Sequence, residues 1–168
     1  PAPLFHAWGL SHLLLGLARC ATTVLGRRFD PDTTLRQMIE HEANVLVVVP
    51  VMLSRLLAAA DTSALPELRV IASSGSALGA TLAADSLARF GPVLYNLYGS
   101  TETGALVSFA PNWMLVASPD CIGPPLPTVD VRITGPMGEV LPEGEEGVIC
   151  VRSPLLMTGY YRNDAANA

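Results

Sequence analysis

The stretch VLYNLYGSTETG, Val93–Gly104, decides the fold: an apolar run stops at Tyr98 and gives way to glycine, hydroxyls and one carboxylate, with no lysine or arginine. Two earlier runs match its first half. Val45–Val49 and Arg69–Ser73 are short, apolar and rich in β-branched residues, the pattern of buried strands. The three runs begin at 45, 69 and 93, and helical patterns fill the gaps. One is Val51–Ala60 after Pro50; the other is Gly79–Phe90, where Leu82, Ser86, Leu87 and Phe90 share a face. Strand, helix, strand at this spacing predicts a parallel sheet with right-handed crossovers.

Ahead of the sheet, Asp30-Pro31 supplies a cap and a first-turn proline to a helix that sets Leu35, Met38, Ile39 and Ala43 on one stripe and ends before Asn44. Past residue 120 the grammar changes. Val129, Val131 and Ile133 alternate, Gly135-Pro136-Met137-Gly138 turns the chain, and Gly147–Ser153 reads as a partner strand. The expected class is α/β: a parallel sheet with flanking helices over residues 1–120, then a β-rich antiparallel segment over 121–168.

Half of the 168 residues are hydrophobic and 15% are charged. Such a low charge content fits either a dense core or an excerpt whose inner surfaces are covered by other parts of a larger protein. A net charge of −5 with scattered basic residues argues against nucleic acid, which is bound through clustered Lys and Arg. No apolar run reaches the ~18 residues of a membrane-spanning helix. Cys20, Cys121 and Cys150 have neither metal-ligand nor disulfide-framework spacing, which predicts a reduced, cytoplasmic setting. The chain starts PAPLFHAWGL with no initiator Met, signal pattern or basic leader, as expected of a processed chain or of numbering that starts inside a gene product.

In open α/β sheets ligands sit beyond the carboxyl ends of the strands. Ser74-Gly75-Ser76-Ala77 and Tyr98-Gly99-Ser100-Thr101-Glu102 both fall there, so neighbouring strands would line one crevice with them. Gly75 and Ala77 are small enough to admit a flat ring, and Tyr98 can stack on one. Gly99, Ser100 and Thr101 offer amides and hydroxyls suited to phosphate. Glu102 would repel that phosphate unless a cation lay between, and Mg²⁺ commonly uses one or two carboxylates plus phosphate oxygens. Two readings therefore stand side by side: a purine nucleotide site with magnesium, or two ordinary strand-to-helix turns. Gly75, Ala77 and Ala80 imitate a dinucleotide fingerprint only with substitutions, and no GxSxG elbow is present.

LYGSTETG, Leu97–Gly104, resembles the YGxTE signature of the adenylate-forming enzymes, the superfamily of acyl-CoA synthetases, luciferases and peptide-synthetase adenylation domains. PLFHAWGL (Pro3–Leu10), VLVVVPVMLSRLL (Val45–Leu57), SSGSALG (Ser73–Gly79) and GEEGVICVRSPLLMTGYYRND (Gly144–Asp164) resemble that family's successive segments in order, so the likeness covers essentially the whole chain.

The resemblance implies a central part of the large N-terminal domain. Residues 1–120 would be its nucleotide- and acyl-binding subdomain and 121–168 the start of a β-rich one. It implies ATP, Mg²⁺ and CoA, with Tyr98 on adenine, Gly75, Ser76 and Ala77 walling the base, Thr101 on the α-phosphate and Glu102 on the metal. His6 corresponds to the aromatic position near the acyl carboxylate; a buried, hydrogen-bonded histidine is the alternative reading there, and His12 and His41 read as structural. Amino-acid-activating members place Asp where this chain has His6, because a buried ammonium needs a counter-charge. A fatty or other plain carboxylic acid is thus expected, and the wording RSPLLMTGYY is most similar to bacterial fatty-acyl-CoA ligases.

The family's lysine-bearing phosphate loop, ribose-gripping Asp, hinge and C-terminal domain with its catalytic lysine have no counterpart in this stretch, and Pro124 and Thr128 stand where Arg and Gly are common. These 168 residues alone are therefore expected to be inactive and, with apolar faces uncovered, to self-associate. Other activities weighed against acid–CoA ligation are an acyl-AMP ligase, a peptide-synthetase adenylation domain and a nucleotide-binding module without chemistry.

Overall fold

The computed structural model describes residues 2–59, 65, 68–104 and 106–167. Two helices, α1 (Ala7–Ala18) and α2 (Pro31–Glu40), precede the sheet. The expected cap of α2 is present: Thr33 N donates to Asp30 Oδ1 at 2.9 Å, with Pro31 in the first turn. Leu35 and Met38 are buried on its inner face, but Ile39 is exposed and Thr34 takes the inner position. The expected stripe was therefore drawn too wide on one side.

Strands β1 (Val45–Val48), β2 (Val70–Ser73) and β3 (Leu94–Gly99) pair in parallel, with Val48 opposite Ser73 and Ser73 opposite Asn96. Leu46, Val48, Ile71 and Leu94 are buried, as the apolar runs required. The crossover helices are α3 (Pro50–Ala58) and α4 (Ala80–Phe90). Pro50 opens α3 in the position where its missing N–H costs nothing, and α3 packs against both α2 and α4. The expected end of α3 at Ala60 lies outside the described residues. On α4 the buried face is Ala83 and Ser86, and Ser86 Oγ satisfies itself on Leu82 O at 2.7 Å.

Leu53 and Leu56 of α3 are both fully buried against the sheet. Leu53→Ala is expected to cost ~2–5 kcal/mol of unfolding free energy, read from the shift of the denaturant midpoint. A loss below about 1 kcal/mol, the scale of a surface change, would remove Leu53 from the core.

Several elements differ from expectation. β3 runs two residues past the apolar run, so Tyr98 and Gly99 belong to the strand, with an irregularity in pairing between them. A fourth strand, β4 (Leu106–Ala110), returns antiparallel to β3 and is followed by α5 (Asn112–Ala117). Buried Asn96 and Ser108 then anchor the following segment: Asn96 Nδ2 donates to Cys121 O at 3.0 Å and Ser108 Oγ to Ile122 O at 2.8 Å. The β-rich tail has the expected form, β5 (Asp130–Thr134) pairing antiparallel with β6 (Val148–Arg152) from Asp130 opposite Arg152 to Thr134 opposite Val148. A short helix, α6 (Asp164–Asn167), follows.

Candidate functional site

Because β1, β2 and β3 are parallel and adjacent, their carboxyl ends share one edge of the sheet. Three groups of expected site residues follow along that edge in strand order. Beside β1 lies the segment leading into α1, fastened by Ala2 N to Val47 O at 3.2 Å and by Trp8 Nε1 to Val48 O at 2.9 Å. His6 caps the start of α1 without a side-chain capping bond; it is exposed, and its ring stands 4.5 Å from that of Phe5. Within these 168 residues, position 6 is therefore not the buried histidine of the alternative reading. His12 has the structural role expected of it, its Nδ1 2.9 Å from Trp8 O.

Beyond β2, Ser74 is buried and Gly75, Ser76 and Ala77 are exposed before Leu78 turns back into the core. Gly75 has φ +92°, a conformation that side chains rarely adopt, so glycine is what allows the chain to leave the strand here. Ser73, the last residue of β2, carries a fully buried hydroxyl with no partner among the described residues.

Beyond β3, Ser100–Gly104 forms a compact turn. Ser100 N donates to Thr103 Oγ1 at 2.9 Å, Thr103 Oγ1 donates to Ser100 O at 2.9 Å, and Gly104 N donates to Thr101 O at 3.1 Å. The Ser100 amide, expected to face a phosphate, is thus engaged within the turn. Tyr98 and Gly99 are half-buried and Thr101 is exposed. Glu102 is half-buried, and its carboxyl is held below the usual carboxylate range, first by the Tyr160 hydroxyl, then by its own backbone amide and the Ser100 side chain.

Among the described residues no three His, Cys, Asp or Glu side chains gather as a metal cage. A single ionised carboxylate on an open turn fits magnesium only where substrate phosphate and water complete the shell, which is the usual arrangement for that ion. A shallow cavity of about 430 Å³ lies instead at the hairpin, lined by Asp130 and Arg152 among others; it collects only an exposed ion pair, 2.6 Å between Arg152 Nη2 and Asp130 Oδ2. Spacing gave no hint of Tyr160 or Trp8 at this edge, since each reaches it through a tertiary contact.

The three cysteines are free, and among the described residues no helix is long and apolar enough to cross a membrane. The family model of AMP-binding enzymes matches residues 1–161. The 2-succinylbenzoate–CoA ligase of Bacillus licheniformis is 34% identical over 166 residues, spanning 98% of this chain and 34% of the relative. The feruloyl-CoA synthase of Amycolatopsis sp is 33% identical over 173 residues, spanning 99% and 34%. The solved structure of o-succinylbenzoate coenzyme A synthetase from Bacillus subtilis in complex with AMP superposes with a TM-score of 0.84 at 29% identity, covering 98% of this chain and 34% of that one. The chain spans about a third of the length of these relatives. With its parallel core, its edge loops and this agreement along nearly its whole length, the chain belongs to the AMP-binding family of adenylate-forming enzymes.

Proposed function

We propose that the full-length protein is an acid–CoA ligase. A carboxylic acid and ATP would give acyl-adenylate and pyrophosphate; CoA would then take the acyl group as a thioester and release AMP. The observation that carries this is the order along one sheet edge of His6 beside β1, Gly75–Ala77 beyond β2 and Tyr98–Glu102 at the end of β3.

In this proposal Tyr98 stacks on adenine and the Gly75-Ser76-Ala77 turn, lacking bulky side chains, walls the base. Thr101 offers its exposed hydroxyl to the α-phosphate, and Gly99 lets the backbone come close. His6 lines the acyl end. Glu102 would hold magnesium, which would supply positive charge to offset the charge that builds during displacement. These residues contribute positioning and electrostatic complementarity, the main demands of phosphoryl-group chemistry. Residues 1–120 would form the nucleotide- and acyl-binding subdomain and 121–168 open a β-rich one, in a protein that works in the cytoplasm.

The acid class needs broadening from a fatty acid. The relatives named above act, by their names, on succinylbenzoate and on the acid of feruloyl-CoA, so acids bearing an aromatic ring rank first and fatty acids second. His6 supplies no carboxylate to pair with an α-ammonium group. In the full-length protein with Mg²⁺, plain carboxylic acids should support ATP–pyrophosphate exchange and, with CoA added, thioester formation. α-Amino acids should be at least ~10²-fold poorer, since an unpaired buried ammonium costs several kcal/mol. Exchange with amino acids, and none with aryl or fatty acids, would overturn the substrate class.

A further inference from the structure

We propose that Tyr160, in the segment after β6, is a positioning residue that fixes the Glu102 carboxylate. The Tyr160 hydroxyl donates to Glu102 Oε1 at 2.7 Å, the short distance of a charge-assisted bond. The contact joins residues 58 apart in sequence, and it is one of three. Met157 N donates to Glu102 O at 3.0 Å, holding the backbone of the same residue. The Leu155 carbonyl lies over Gly104, whose φ is +68° and where any Cβ would run into that oxygen.

Tyr160 is itself held. Its N–H donates to Asn167 Oδ1 at 2.7 Å, and Asn167 Nδ2 donates back to Tyr160 O at 3.0 Å. The chain of contacts therefore runs from α6 through the backbone of Tyr160 to its phenol and on to the acid. A half-exposed glutamate on a surface turn would otherwise sample several rotamers, and a metal-facing acid acts only in one. Tyr161 beside it is 85% exposed, with the Arg162 guanidinium 5.0 Å from its ring centre, which makes it a natural control.

This role rests on Glu102 being the magnesium-facing acid, and one set of binding measurements separates the two claims. ATP affinity is measured calorimetrically on the full-length protein, with and without Mg²⁺, for wild type, Tyr160→Phe, Tyr161→Phe, Glu102→Gln and the Tyr160→Phe/Glu102→Gln pair. Tyr160→Phe is expected to weaken ATP binding with Mg²⁺ by ~10-fold or more, the scale of lost support behind a metal ligand, and to leave metal-free binding unchanged. Tyr161→Phe should match wild type. The double variant should be no weaker than Glu102→Gln alone, because the phenol acts through that carboxylate.

If Glu102→Gln binds ATP with Mg²⁺ as wild type does, the assignment of Glu102 fails and Tyr160 falls with it. If Glu102→Gln is impaired while Tyr160→Phe is not, the positioning role alone is overturned. The same holds if Tyr160→Phe weakens binding equally without Mg²⁺, or adds its effect in full to that of Glu102→Gln.

Discussion

Glu102→Gln in the full-length protein should lower acid-dependent pyrophosphate exchange by ~10²–10³-fold, the usual loss when one preorganised electrostatic group is removed from a reaction centre. Glutamine keeps the shape of the side chain and can still accept the Tyr160 hydroxyl, so the turn from Ser100 to Gly104 should persist. What disappears is the negative charge. The turn lies outside the core formed by Leu53, Leu56, Ile71 and Leu94, so the melting temperature should stay near that of wild type. Exchange at the wild-type rate with an unaltered Mg²⁺ requirement would remove Glu102 from the site.

The second large effect concerns residues 1–168 as an isolated protein, for which no pyrophosphate exchange should be detectable. Adenylation needs charge neutralised on three phosphates together, yet neither edge loop holds a lysine or an arginine. In the proposed site, Glu102 and the hydroxyl of Thr101 would serve at most a cation and the α-phosphate. Losing several electrostatic groups at once multiplies factors that are each ~10²–10³. The same isolated protein should associate in solution, because α1 buries only Gly9 and exposes Leu10, Leu14, Leu15 and Leu17 on its surface. Exchange and sedimentation run beside the full-length protein read both effects, and robust exchange by the isolated stretch would mean that the catalytic groups have been misplaced.

The parallel core was legible because its strands are short apolar runs and its crossovers are amphipathic, patterns that residue order along the chain displays. The Asp30 cap and the β5–β6 hairpin were legible for the same local reasons. β4 was not: Leu106–Ala110 gains its identity by pairing with β3, and the turn that returns it depends on hydrogen bonds between Ser100 and Thr103 rather than on apolar spacing. α1 was missed because its leucines surround the helix and give no single inner face. Ile39 differs from expectation since a stripe on α2 has two possible edges, and the fold buries the one with Thr34.

At the candidate site, sequence order foretold that two loops would share an edge, since parallel neighbours leave no other choice. It did not foretell that the Ser100 amide is engaged within the turn. Nor did it foretell the bond from Tyr160 to Glu102, since nothing local to either residue carries information about a partner 58 positions away.

The central claim, a nucleotide crevice at the carboxyl edge of β2 and β3, is tested most directly by a crystal structure of the full-length protein with AMP. The base should lie against the Tyr98 ring on one side and the Gly75–Ala77 turn on the other, with the phosphate beside Thr101. AMP bound elsewhere, with these two loops free of it, would contradict the account.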